Sequence, residues 1–459
     1  MYKIDFNNPN HIHFIGIGGI SMSGLAEILH KEGFTITGSD NQSSALTKKM
    51  QEDGIGIEIG QKASNIIEGI DLVVYTAAVH EDNEEFKAAK AKGLPMLSRA
   101  ELLGQLMHNY EIPIAVSGTH GKTTTTSMLA HILLADDLDP TISVGGILKA
   151  IDGNIRVGAN KYFLTEACEY TNSFLHFNPK VGIILNIDED HLDFFKDLDD
   201  IYHSFKEFAK LLPTDGALVI NGAMDRVAEF KEVISCKMIT YGLDSTFDYY
   251  ATDIVYDNFG CPTFKVHKGA KVLGSITLKV NGKHNVLNAL ASVAASDLIG
   301  IPFKDCQNGL ATFTGTNRRF ELKGSKNGIT VIDDYAHHPT EIRATLNAAS
   351  KYPHHEIWCV FQPHTYTRTK ALFHEFTKAL SLADHIILTD IYAARETDDL
   401  GVSSKLLCEE MQANGRDAYY IADFDEIRDF CNKNCQKNDL LITMGAGNVV
   451  SIAEAFLED

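Results

Sequence analysis

Short apolar, β-branched runs alternate with helix-length stretches along most of this chain. Residues 12–18 (IHFIGIG) read as a buried strand, 21–33 (SMSGLAEILHKEG) as a helix, 34–40 (FTITGSD) as a second strand and 71–79 (DLVVYTAAV) as another. Strands separated by helices imply parallel pairing, because a parallel neighbour needs a long crossover. The pattern restarts near Glu111 with the run from Ile112 to Val116, and a helical period follows Gly121. Strands then end at 162–167 (YFLTEA) and 181–187 (VGIILNI). From about 245 to 280 the runs shorten and turn residues appear, which predicts an antiparallel excursion. The helix pattern HNVLNALASVAASDLIG comes next. A third unit starts near Gly315, with strands expected at 329–335, 357–363, 385–390 and 439–447. The expectation is an α/β protein of three domains, at 1–105, 106–315 and 316–459.

Composition narrows the picture only a little. The chain has 459 residues, 44% of them hydrophobic and 22% charged, as in an ordinary globular protein. No apolar run approaches the roughly 18 residues of a membrane span, and the first residues lack the apolar core of a signal peptide. A cytoplasmic protein without membrane insertion is expected. The net charge of −20 argues against nucleic acid as a partner. Among the eight cysteines only Cys431 and Cys435 lie close in sequence, and no second pair completes a zinc pattern, so reduced thiols are expected.

The candidate chemistry centres on Gly118-Thr119-His120-Gly121-Lys122-Thr123-Thr124, between the strand at 112–116 and the following helix. A glycine-containing strand-to-helix loop offers backbone N–H groups at a helix N-terminus, where the dipole favours anions. Lys122 adds a point charge for β- and γ-phosphates, and the Thr123 hydroxyl suits a magnesium ion. The spacing is shorter than the usual phosphate-loop pattern, with Val116 standing near where its first glycine would fall. A tight turn with a solvated lysine is the alternative. Glu166 follows an apolar run, and a strand-end carboxylate beside the loop could bind magnesium. His191 lies just beyond another strand, among Asp188, Glu189, Asp190 and Asp193. A histidine ligand would also make the site compatible with manganese. Salt-bridged or capping roles are the alternatives for both.

Gly16, Gly18, Gly19 and Gly24 form GIGGISMSG after the first strand, and Asp40 ends the second strand about 20 residues on. Three readings stay open here: a nicotinamide-dependent oxidoreductase, a cradle for the diphosphate of a nucleotide-linked substrate, and close helix–strand packing. A triphosphate loop downstream weighs against the first, since hydride transfer needs none. A switch protein that binds ATP without catalysis is a further alternative.

In chain order, GTHGKTTTT, TEACE, NIDEDHLD, NGKHNVLNAL, GTNRRFEL, DDYAHHPTEI and FQPHTYTRT resemble the Mur ligases, which build the peptidoglycan stem peptide. The resemblance implies a Rossmann-like domain for a UDP-linked substrate, a central P-loop ATPase-like domain and a C-terminal Rossmann-like α/β domain. It implies that Gly118 to Thr124 cradle ATP, with Lys122 on the γ-phosphate, and that Thr123, Glu166 and His191 hold magnesium. Asn285 and Asn288 would contact adenine, and Arg319 would reach the phosphates. Gly16, Gly18, Gly19 and Asp40 would hold the UDP group. Tyr335, His337, His364 and Arg368 would meet the acyl or amino-acid substrate, with His338 or a nearby carboxylate as base. Some relatives carry Arg at the position of Thr365. The glycine-rich opening, HHPTE and FQPHTYTRT are most similar to the alanine-adding branch, which implies UDP-N-acetylmuramate, L-alanine and ATP as substrates of a monomer or weak homodimer. Another amino acid or a recycled tripeptide as acceptor is the alternative within the family. Other branches carry a carbamoylated lysine at a spacing matched by Lys206, a feature the alanine-adding branch generally lacks; a carbamoylated Lys206 and an ordinary surface-helix lysine both stay open.

Overall fold

The computed structural model describes residues 2–458 apart from Ala77, Arg395 and Asp399. Three sheets follow one another along the chain. The first has five parallel strands in the order Gly56–Ile59, Thr35–Asp40, His11–Ile15, Leu72–Tyr75 and Met96–Ser98. Strand order reverses beside His11–Ile15, so the crevice at that strand's C-terminal end opens on the glycine-rich loop. The helix Ile20–Lys31 buries Met22, Leu25, Ile28 and Leu29 against the sheet.

The second sheet has ten strands. Its parallel centre runs Lys237–Gly242, Ala217–Asn221, Val181–Ile184, Ile112–Ser117, Tyr162–Ala167 and Thr141–Leu148. Tyr249–Tyr256 joins one side parallel to Lys237–Gly242, and Pro262–Lys268 and Lys271–Thr277 follow it antiparallel, so the excursion expected near 245–280 adds to this sheet. Gly153–Arg156 closes the other side as a hairpin partner of Thr141–Leu148. The helix Lys283–Leu298 is buried on most sides, its apolar residues Val286, Ala289, Leu290, Val293 and Ala294 together with Asn285, Asn288, Ser292 and Ser296. Such a helix is stable only as a core element, with the alanines permitting close packing.

The third sheet runs Glu321–Lys326, Ile329–Asp334, Leu440–Met444, Ile357–Phe361, His385–Leu388 and Asp417–Tyr420. Only the first strand is antiparallel. The three-domain α/β fold is as expected.

Two glycines set how the first two sheets meet. A Cβ on Gly24 would lie 2.1 Å from Ile155 Cγ1, and one on Gly104 would lie 1.9 Å from the His176 carbonyl oxygen. Any larger residue at either place would push the glycine-rich loop away from the central domain. No helix of the described residues is long and apolar enough to cross a membrane. All eight cysteines are unpaired thiols.

Candidate functional site

The strand Ile112–Ser117 delivers the chain into the loop 118–121, and the helix Lys122–Ala135 carries it away. Gly118 has φ +139° and Gly121 φ +83°, conformations that disfavour a side chain. A Cβ on Gly121 would also sit 3.0 Å from Asn288 Oδ1. The helix has no side-chain cap and no acid in its first turn. Its N–H groups are therefore available to an anion. Thr119 N–H donates to the Asn186 carbonyl at 3.1 Å and His120 N–H to Asn186 Oδ1 at 2.8 Å, which fixes the loop.

Lys122 Nζ donates to the Gly118 carbonyl at 2.6 Å and to Glu169 Oε2 at 2.9 Å. Burial opposes its charge, but Glu169 more than compensates and holds the ammonium above its ordinary range. Glu169 is only 2% exposed. Sequence reasoning missed it; its signal was the second acid of TEACE, three residues after Glu166.

In the sheet register Val116 pairs with Glu166, which brings the carboxylate beside the loop. Thr123 Oγ1 donates to Glu166 Oε2 at 3.1 Å, and Gly145 N–H donates to Oε1 at 2.6 Å. Burial pushes the Glu166 carboxyl above its usual range. The His191 ring packs against Tyr170 at 4.5 Å and a 38° tilt, with Nε2 4.0 Å from Glu169 and 3.8 Å from Asp190. Burial lowers its pKa, so the ring is neutral and able to ligate. A hydroxyl, a carboxylate and a neutral imidazole beside a phosphate loop fit a magnesium or manganese ion in donor type. Lys206 Nζ pairs with Glu229 Oε2 at 2.8 Å, as an ordinary helix lysine would. That contact needs an ammonium, and a carbamate would be repelled there.

A cavity of about 900 Å³ lies between the second and third sheets, lined among others by His120, Gly121, Thr124, Asn285, Asn288 and Arg319. Asn288 Nδ2 donates to Asn285 Oδ1 and Asn285 Nδ2 to the Asn281 carbonyl, forming a buried amide ladder. Asn281, Thr316 and Asn317 line the same cavity, and their Nδ2, Oγ1 and Oδ1 atoms are buried without a hydrogen-bond partner among the described residues. Orphaned polar atoms in the wall of one cavity, with the amide ladder beside them, fit a large polar ligand such as a nucleotide. Arg319 lies 5.1 Å from the Tyr335 ring and 4.0 Å from Glu341. Its neighbour Arg318 turns away, bonding the buried Asp333 at 2.9 Å and the Gly445 and Gly447 carbonyls.

A third group borders on this one. Arg368 Nε donates to Asp190 Oδ1 at 2.9 Å, a contact between residues 178 apart in sequence. The His337 and His364 rings lie 6.0 Å apart. His337 Nδ1 donates to the Tyr335 carbonyl at 3.0 Å, and burial lowers its pKa to about 4. Burial pushes Asp334 up to about 6, against the pull of Arg319 and two backbone N–H groups. His338 is placed differently from the base role expected for it. Its Nδ1 accepts from Thr340 N–H as the cap of the helix Pro339–Ala349, and its Nε2 donates to the Glu189 carbonyl at 2.9 Å. Both ring nitrogens are occupied, so neither can take up a proton in this arrangement.

His120 ties the two domains together. Nε2 lies 3.1 Å from Asp188 Oδ2 and Nδ1 lies 3.3 Å from Glu341 Oε1. Burial alone would lower its pKa, but the two carboxylates raise it to about 9. The unfolded chain titrates near 6.5, so the bridge contributes fully below about pH 6.5 and is lost as pH rises through about 9. The denaturant midpoint of the ligand-free protein should fall between pH 7 and 9.5, and His120→Gln should flatten that dependence. An identical slope in the variant would exclude the bridge as its source.

On the first sheet, Gly16, Gly19, Asp40 and Thr76 help line a cavity of about 650 Å³. Asp40 Oδ2 accepts from Gly18 N–H at 2.9 Å and Oδ1 from Gln42 N–H at 3.3 Å. Asp40 thus pins the loop as well as facing the cavity. Gly18 is not on the cavity wall, and a Cβ there would meet Asp40 Oδ2 at 2.8 Å.

Comparison with known proteins accounts for the whole arrangement. Residues 11–111 match the Mur ligase family catalytic domain, 116–296 the Mur ligase middle domain, and 318–447 the Mur ligase, glutamate ligase domain. The chain is 58% identical over 458 residues to the UDP-N-acetylmuramate–L-alanine ligase of Agathobacter rectalis, covering 100% of both chains. It is 50% identical to that of Caldanaerobacter subterraneus over 100% of this chain and 99% of the relative. Among solved structures, the UDP-N-acetylmuramate–alanine ligase of Thermotoga maritima superposes with a TM-score of 0.80 at 30% identity, covering 98% of each chain. A murein peptide ligase of Psychrobacter arcticus reaches 0.71 at 26%, again over 98% of each. With the three family models matched along the chain and a relative 58% identical over the full length of both, this chain belongs to the Mur ligase family.

Proposed function

We propose that this chain joins L-alanine to the lactyl carboxylate of UDP-N-acetylmuramate, consuming ATP and yielding UDP-N-acetylmuramoyl-L-alanine, ADP and phosphate in peptidoglycan precursor synthesis. The observation that carries this reading is the 58% identity, over the full length of both chains, with a relative of that activity. Free cysteines and dependence on ATP suit the cytoplasm, and we assign a monomer or weak homodimer acting there.

The chemistry follows from the residues. A carboxylate is a poor electrophile, so it is activated by attacking the γ-phosphate of ATP to give an acyl phosphate. The amine of alanine then attacks that carbonyl and phosphate leaves. Lys122 and Arg319, arriving from different domains, neutralise charge on the transferred group. Thr123, Glu166 and His191 would hold a magnesium ion, which would supply further charge neutralisation there. Asn285 and Asn288 form the polar floor of the nucleotide cavity. Arg368, held by Asp190, offers its guanidinium to a carboxylate. His337 replaces His338 as the imidazole facing the amine, because Nδ1 is the donor to Tyr335 and Nε2 keeps its lone pair. Meeting of the second and third domains assembles these groups and excludes water from the acyl phosphate.

The test is phosphate release from ATP with UDP-N-acetylmuramate and magnesium, screened against single amino acids and the stem tripeptide. L-Alanine should give the fastest release, with glycine and L-serine slower. The 26% identity to a murein peptide ligase supplies the rival acceptor, and faster release with tripeptide than with L-alanine would overturn the assignment.

A further inference from the structure

At the end of the third sheet away from His364, two neighbouring parallel strands begin side by side. His355 and Glu356 directly precede Ile357–Phe361, and Asp439 directly precedes Leu440–Met444. The backbone pairing continues ahead of the strands. Leu440 N–H donates to the Glu356 carbonyl at 2.9 Å, and His355 N–H to the Asn438 carbonyl at 2.8 Å. This register gathers one imidazole and two carboxylates, with a ligand atom of each within 4.8 Å of the others. None of the three takes part in the phosphate or acyl chemistry above.

Both carboxylates are held from behind. Asp439 is buried, and its Oδ2 accepts from Gln436 N–H at 2.7 Å and from Trp358 Nε1 at 3.1 Å. That leaves Oδ1 to His355 Nδ1 at 2.9 Å. Glu356 Oε2 accepts from His385 Nε2 at 3.0 Å. The other nitrogen of His385 is paired with Asp417, its register partner on the next strand. His385 therefore orients Glu356 and has no nitrogen left to ligate. Ligating carboxylates need such partners to fix the direction of their lone pairs. Among the described residues no lysine or arginine forms an ion pair with Glu356 or Asp439, so histidines alone answer these acids. His355 is exposed, which leaves the cluster open to solvent on one side.

We propose that His355 Nδ1, Glu356 and Asp439 form a binding site for a divalent transition ion of the zinc class, which clamps the starts of two strands together. Two carboxylates balance the charge of the ion, and the imidazole nitrogen selects zinc-like ions over magnesium. On binding, the proton that Nδ1 donates to Asp439 leaves to solvent, and the freed lone pair turns to the ion. Three protein ligands leave a fourth position to water. The site shares no residue with the ligand set of Thr123, Glu166 and His191, which lies in the second domain.

Trp358 makes the test local. It is the single tryptophan of the chain, its indole donates to Asp439, and its ring stacks on His385 at 3.8 Å. Zinc chloride is titrated into the full chain, with magnesium chloride as the comparison, and Trp358 emission and melting temperature are followed. The proteins are the unaltered chain, His355→Asn and Glu356→Gln. Asparagine keeps an N–H for Asp439 but removes the imidazole, so a loss of binding is not a loss of folding. The unaltered emission should change saturably with zinc, and the melting temperature should rise over the same range. Magnesium should change neither. His355→Asn should need on the order of 100-fold more zinc, and Glu356→Gln on the order of 10–100-fold more. No saturable change up to millimolar zinc in the unaltered protein would overturn the proposal. So would an unshifted titration in His355→Asn, which would place the ion elsewhere, as on Cys431 and Cys435 in the same apolar cluster as Trp358. An equal response to magnesium would overturn the zinc-class assignment.

Discussion

Lys122→Ala should lower ligation on the order of 10³-fold, about 4 kcal/mol of transition-state stabilisation, while binding of UDP-N-acetylmuramate is kept. The size follows from position. Lys122 is the cation of the loop 118–124, and the reaction moves a phosphoryl group that concentrates charge there. The ligand-free structure adds a complication. Lys122 Nζ is held by Glu169 at 2.9 Å, and Glu169 is buried. Alanine leaves that carboxylate without its counter-ion, a loss of about 3 kcal/mol by analogy with other broken buried pairs. A dead enzyme could then simply be a poorly folded one. Lys122→Ala combined with Glu169→Gln separates the two effects. The double variant should regain most of the thermal stability lost by the single one and none of the turnover. Turnover near normal in either would remove Lys122 from the chemistry.

The same pair shows where sequence reading stops. The strand, the loop and the helix around Lys122 were legible because hydrophobic period and glycine spacing are local signals. So was the place of Glu166, through the rule that strand ends face the crevice. Glu169 was not, because nothing local says that the chain turns there and buries a second carboxylate under the lysine. The hairpin of Thr141–Leu148 with Gly153–Arg156 was also missed. Its three glycines and half-exposed positions break the alternation that marks a strand. Third-domain chemistry was harder still. Arg368 and Asp190, or His120 and Glu341, meet only through tertiary structure. His338 stood beside the right residues in sequence, yet its ring serves as a helix cap. A histidine before a proline that opens a helix is a capping signal as much as a catalytic one. For Lys206 the spacing was suggestive, but Glu229 on the neighbouring helix decides its charge.

His191→Ala should raise the half-saturating metal concentration on the order of 10–100-fold and reduce turnover at any fixed metal level. His191 is built to stay in place. It holds φ +54°, its N–H donates to Asp190 Oδ1 at 2.8 Å, and its carbonyl accepts from Phe194 and Phe195 N–H. Its ring is packed against Tyr170 and its pKa is lowered by burial. A fixed neutral imidazole joining Glu166 and Thr123 in the proposed ligand set would make the ion's environment softer than oxygen alone would. Manganese gains more from that nitrogen than magnesium does, so the loss on substitution should be larger for manganese than for magnesium. Alanine in the left-handed region adds strain of about 1 kcal/mol. His191→Asn is the companion variant, because asparagine tolerates that backbone and offers only an oxygen. It should melt close to the unaltered protein and still lose the manganese advantage. Metal titrations of phosphate release, run with each ion on all three proteins, read this directly. Superimposable curves would mean that His191 shapes the loop without touching the ion, and the ligand set would shrink to Thr123, Glu166 and solvent.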